Sequence, residues 1–140
     1  MFELIYHSVA NENLQESDIT DILNVARNFN SQNDITGCLL YHNERFIQIL
    51  EGAEEVIRQL YASIEDDPRH NSVILVNMGE KAERMFDSWS MAFHKLGQGE
   101  SAALDKFLFV NNFKLFSDLV EKPSDAVRLF FQLAKQLLKD

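Results

Sequence analysis

Two stretches of this chain carry apolar residues at three- and four-residue spacing, and each lies between stretches that alternate or run apolar as strands do. Residues 2–8 place Phe2, Leu4, Tyr6 and Ser8 on one side and Glu3, Ile5 and His7 on the other. Ile19, Ile22, Leu23, Ala26 and Phe29 then recur with helical spacing behind Ser17 or Asp18, either of which can cap a helix. The polar run Asn30-Ser31-Gln32-Asn33-Asp34 breaks that pattern. Residues 35–41 and 45–50 resume as strands, with His42-Asn43-Glu44 between them short enough for a hairpin turn. Val56, Ile57, Leu60, Tyr61 and Ile64 form the second helical stripe, closed by Glu65-Asp66-Asp67-Pro68. Residues 73–78 and 86–93 read as two further strands.

The order strand, helix, strand, strand, helix, strand, strand leaves few solutions. It predicts the α+β class: a ferredoxin-like βαββαββ sheet with two helices on one face and one added strand. After Gly97-Gln98-Gly99 the chain reads helical at about residues 101–110 and 125–139, with Pro123-Ser124 opening the last helix and Lys135 and Lys139 near its end. Six of the eleven phenylalanines (Phe107, Phe109, Phe113, Phe116, Phe130, Phe131) fall in this tail. Two helices packing only on each other would not bury so many, so both are expected to cover the other face of the sheet. The division is a domain over residues 1–96 and a helical cap, not an independent domain, over residues 97–140.

Composition narrows the function classes. At 140 residues the chain suits one domain that buries roughly 70% of its unfolded surface, with no need of disulfide or metal. The single cysteine, Cys38, suits a reducing cytosol, and a cytoplasmic location is expected. A net charge of -9, carried entirely by residues 1 to 95, argues against nucleic acid as a partner. No apolar run approaches the roughly 18 residues of a membrane span, and the N-terminus lacks a basic region before an apolar one.

The common chemical signatures are missing from the sequence: no G-x-G-x-x-G, phosphate loop or G-x-S-x-G. His7, His42, His70 and His94 lack metal-ligand spacing, and no metal is assigned. The acidic pairs Glu54-Glu55 and Asp66-Asp67 read as solvated helix ends. What stands out is polar side chains on apolar strand faces. Alternation in Arg45-Phe46-Ile47-Gln48-Ile49-Leu50-Glu51-Gly52 puts Gln48 with Phe46 and Leu50, where an amide without partners costs roughly 1–3 kcal/mol. Tyr6 shares its face with Phe2 and Leu4, and a buried phenol seeks a hydrogen bond. Trp89 and Met91 share one face of the last strand.

Together these residues resemble the BLUF domains, photoreceptors that use a flavin to sense blue light. The resemblance covers about residues 2 to 95. It rests on Leu4-Ile5-Tyr6-His7-Ser8, on Asn30 followed by Ile35-Thr36-Gly37-Cys38-Leu39-Leu40-Tyr41, and on Phe46-Ile47-Gln48-Ile49-Leu50-Glu51-Gly52. Asp67-Pro68-Arg69-His70 and Trp89-Ser90-Met91 complete it. It implies a non-covalent flavin, FAD by default with FMN or riboflavin as alternatives, held between two helices and the sheet. By the same resemblance Tyr6 is the photochemical electron and proton donor, and Gln48 lies between its phenol and the ring. Asn30 bonds the carbonyl side of the ring, and Arg69 and His70 stand near its polar edge. Trp89 and Met91 carry the signal outward. Cys38 has no photochemical part.

The resemblance further implies a short stand-alone receptor and not an enzyme, since only about 45 residues follow residue 95. Its output would be light-dependent association with a downstream regulatory protein through the tail helices, often as a homo-oligomer. Two rivals stand beside it: a flavin-free interaction module in which Tyr6, Asn30 and Gln48 are only a structural network, and an acylphosphatase-like hydrolase. The second needs an anion-cradling loop with arginine after the first strand, and His7-Ser8-Val9-Ala10-Asn11-Glu12 has neither glycine nor arginine.

Overall fold

A computed structural model of the chain describes residues 1–42, 44–86, 92–95 and 124–139. In chain order the elements are β1 (Phe2–Ala10), α1 (Glu16–Gln32), β2 (Thr36–His42), β3 (Arg45–Gly52), α2 (Glu54–Glu65), β4 (His70–Glu80), β5 (Ala92–Lys95) and α3 (Asp125–Lys139). The described strands form a five-stranded sheet in the order β4-β1-β3-β2-β5. β1 lies antiparallel between β3 and β4, β2 is antiparallel to β3, and β5 adds to the β2 edge in parallel. This is the expected ferredoxin-like α+β arrangement with its added strand.

Both faces of the sheet are covered, which is why the central strands β1 and β3 are buried along almost their whole length. Phe2, Leu4, Tyr6, Leu39, Phe46 and Leu50 pack with Ile57 under α1 and α2, joined by Ile22, Leu60 and Ile64. On the opposite face Ile5, Cys38, Leu40, Ile47 and Ile49 pack against Ala126, Val127, Phe130, Phe131 and Ala134 of α3. The expected docking of the last tail helix is therefore observed, with Phe130 and Phe131 buried in the interface. The helix expected over residues 101–110 and the Gly97-Gln98-Gly99 boundary lie outside the described residues.

Several expected boundaries move, each for a local reason. α1 is capped at Gln15 instead of Ser17 or Asp18, because the Asp18 carboxylate one turn in accepts the Gln15 N–H at 2.9 Å. The helix also runs through Asn30 to Gln32. The reversal falls at Asn33 and Asp34, where Asp34 takes a left-handed φ of 56°. Phe86 does not belong to the last strand as expected, because its N–H is bound by the Glu51 carboxylate at 2.6 Å and is not offered to a ladder; of that strand Ala92–Lys95 is described. β4 is longer than residues 73–78, because β1 continues to Ala10 and pairs it back to His70. Gly37 is required by close approach of two strands, since a Cβ there would lie 2.0 Å from the Ile49 carbonyl oxygen.

Candidate functional site

Register brings together Tyr6 and Gln48, the two polar side chains that alternation placed on apolar strand faces. Tyr6 on β1 is the direct partner of Gln48 on β3, and both point toward α1 and α2. The Tyr6 hydroxyl donates to Gln48 Oε1. On its other side β1 loses register with β4 between Ile5 and Tyr6 and again between His7 and Val9, so the strand is irregular on both flanks of this pair. Burial raises the Tyr6 phenol well above the ordinary tyrosine value, with the neighbouring Tyr61 and Asp67 adding to the effect. It therefore stays a neutral O–H donor across the physiological range.

The pair lies in the wall of a cavity of about 390 Å³ between α1, α2 and the sheet, which falls within the usual size of small-molecule sites. Ile22, Val25, Ala26 and Phe29 of α1, Leu60 and Ile64 of α2, and Leu39 and Phe46 of the sheet give it apolar sides. Asn30, 1% exposed, adds an amide at the end of α1, and Asp67, Arg69 and His70 add polar groups at the entrance to β4. Val25 is 62% exposed and Phe29 37%, although both line the cavity. Apolar walls left open beside amides and a phenol are the donor set and shape that a flat aromatic ring with one polar edge requires, so a flavin fits the site.

The remaining polar groups are fixed within the protein. Arg69 holds Asp67 with its Nε at 3.0 and 3.1 Å from the two carboxylate oxygens and a terminal nitrogen at 2.6 Å. That hydrogen bond from Arg69 keeps the Asp67 carboxyl below the ordinary carboxylate range, against the opposing effect of its partial burial. His70 Nε2 lies 2.5 Å from the Ile64 carbonyl oxygen, which can only accept, so Nε2 carries a proton; Nδ1 faces the Ser8 hydroxyl at 2.8 Å. Its ring stands edge-on to Tyr6 and Phe46, with centroids 6.5 and 6.2 Å away. Among the described residues no cluster of three or more His, Cys, Asp or Glu side chains could hold a metal ion, and no helix is long and apolar enough to cross a membrane. The Cys38 thiol is buried on the α3 face and pushed up to about 12 by desolvation.

Tyr6, Asn30, Gln48, Arg69 and His70 thus meet in one cavity, whereas Trp89 and Met91 lie outside the described residues. Sequence reasoning did not single out Ser8, Asp67 or the walls Ile22, Leu60 and Ile64. Ser8 was on the Tyr6 face of the alternation, and the helical stripes already contained the three apolar walls.

The chain belongs to the BLUF family, sensors of blue-light using FAD, whose pattern matches residues 1–92. It is a blue-light sensor domain, and its cofactor is FAD. Over 89 residues it is 38% identical to the photoactivated adenylate cyclase subunit beta of Euglena gracilis, which covers 63% of this chain and 10% of that protein. It is also 37% identical over 71 residues to the blue light- and temperature-regulated antirepressor BluF of Escherichia coli (strain K12), covering 51% of this chain and 18% of that one. The chain spans no more than about a fifth of the length of these two relatives. Among solved structures, BlsA in its photo-activated state superposes with a TM-score of 0.67 at 30% identity, covering 99% of this chain and 95% of that one.

Proposed function

We propose that light sensing in this protein works through Tyr6 and Gln48, with the flavin held non-covalently between α1 and α2. The observation that carries this is the Tyr6 hydroxyl donating to Gln48 Oε1 in the wall of the cavity. When bound, the flavin supplies a ring that blue light turns into a strong oxidant. Tyr6 is the residue that would give an electron and a proton by way of Gln48, and would take both back. Gln48 is the switch: an amide has a donor end and an acceptor end, so rotation or tautomerisation exchanges what it presents to Tyr6 and to the ring. A changed hydrogen bond from Gln48 would shift the absorption of a bound flavin to the red, and recovery in darkness would follow as Gln48 and Tyr6 return to their first arrangement.

The other residues orient the cofactor. Asn30 bonds the polar edge of the ring, while Arg69 and His70 frame the entrance, where their bonds to Asp67, Ser8 and Ile64 keep them in place. Trp89 and Met91 carry the change away from the cavity. The protein acts as a receptor and not as an enzyme: residues 1–96 sense and residues 97–140 report, in the cytoplasm, to a downstream regulatory protein, with the receptor itself a homo-oligomer.

The test is a pair of substitutions. Tyr6→Phe and Gln48→Leu should each retain flavin and lose the light-induced red shift, measured as a difference spectrum. A normal, reversible shift in Tyr6→Phe would contradict the mechanism.

A further inference from the structure

On the face of the sheet turned away from the cavity, β3 carries a second buried polar side chain. Glu51 follows Gln48 by three residues, so the pleat turns it under α3 beside Ile47 and Ile49, with 0% of its surface exposed. Its carboxylate accepts the Met85 N–H at 2.9 Å, the Phe86 N–H at 2.6 Å, the Thr36 hydroxyl at 2.7 Å and the Lys81 ammonium. Glu3, also buried, sits directly opposite Glu51 in the β1–β3 ladder. Two facing carboxylates repel, and Lys81 reconciles them, its Nζ bonded to Glu51 Oε2 and 3.1 Å from Glu3 Oε1.

The cluster continues to the output side of the molecule. Glu3 Oε1 accepts the Ser124 hydroxyl at 2.6 Å, and Ser124 Oγ in turn accepts the Val127 N–H at 3.3 Å in the first turn of α3. Ser124 is thus the N-cap of α3 and is tied to the sheet. The Glu3 carboxylate stands at the positive end of that helix, where a carboxylate is favoured, while the Arg84 guanidinium borders the Glu51 side of the cluster through Thr36 and the Glu51 carbonyl oxygen.

The same two strands therefore carry two polar pairs, three registers apart and on opposite faces: Tyr6 with Gln48 in the cavity, and Glu3 with Glu51 under α3. We propose that Glu51, Lys81, Glu3 and Ser124 are a relay by which a change in the Tyr6–Gln48 pair reaches the first turn of α3. The inference rests on the photochemical reading above. A shift of β3 against β1 cannot leave buried carboxylates behind unpaired, so Lys81 and the Ser124 hydroxyl must follow. These are positioning residues that touch no part of the flavin.

The experiment is hydrogen exchange, dark against blue light, on the full flavin-loaded chain, with the flavin spectrum recorded on the same samples. In the unmodified protein the first turn of α3 should exchange faster in the light. Ser124→Ala should keep the full red shift but lose the light-dependent difference in that turn, and Ser124→Thr, which keeps a hydroxyl, should restore it. A light-dependent difference of unmodified size in Ser124→Ala would overturn the relay. So would an unmodified protein that shifts its spectrum while α3 exchanges identically in dark and light. An unmodified protein with no red shift overturns the photochemical reading instead, and removes the input the relay needs.

Discussion

A phenol and an amide on facing positions of adjacent strands can satisfy each other and still leave the amide in contact with a ligand. That is what distinguishes Tyr6 and Gln48 from a core hydrogen bond, because the wall they share opens on a cavity. Alternation alone was enough to find both, since each interrupts an otherwise apolar face. The same reasoning applied to Glu51 would have placed it beside Ile47 and Ile49, but a Glu-Gly pair at the end of a strand reads as a solvated terminus. Its burial depends on residues 81 to 86 folding back over it, contacts 30 to 35 residues apart in sequence that no local pattern carries. At Gly37 the constraint is steric. A methyl group there meets the backbone of Ile49, which cannot move without breaking the ladder, so Gly37→Ala should destabilise the fold by about 1–3 kcal/mol or more in urea unfolding.

Element by element, the order of strands and helices was legible because each buries one face and its periodicity shows which. Boundaries were less so. The last strand was expected over residues 86–93, yet the Phe86 N–H serves a carboxylate, and the part of that strand that is described is Ala92–Lys95. The same carboxylate gives the elements around it an acid sensitivity. Burial pushes the Glu51 carboxyl up, but the bonds from Lys81, Met85 and Thr36 together outweigh it and hold the group below its ordinary value of 4.5. A depressed carboxyl binds fewer protons folded than unfolded, so its stabilisation is complete above 4.5 and is lost as pH falls through the folded value. Asp67 acts in the same direction from its ordinary value of 3.8. Stability measured by urea titration should therefore fall as pH drops below 4.5, and Glu51→Gln should flatten that dependence.

For the whole molecule, the sheet separates two tasks. One face with α1 and α2 builds the cavity, and the other is covered by α3, so a sensor and a candidate output surface share the central strands. The relatives it matches include an adenylate cyclase subunit and an antirepressor many times longer than the matched segment, which is how a sensor of this kind is used elsewhere. Because the cavity walls include exposed apolar residues of α1, flavin binding should favour the folded state by mass action. A hundredfold excess of FAD over its Kd is expected to add about 2.7 kcal/mol, seen as a rise in Tm over flavin-free protein. An unchanged Tm would mean that the cavity does not hold the ring. The most direct measurement is the visible spectrum of the purified protein in darkness, after blue illumination and through recovery. The account predicts flavin bands that move to longer wavelength in the light and return in the dark; a flavin-loaded protein whose bands do not move would contradict it.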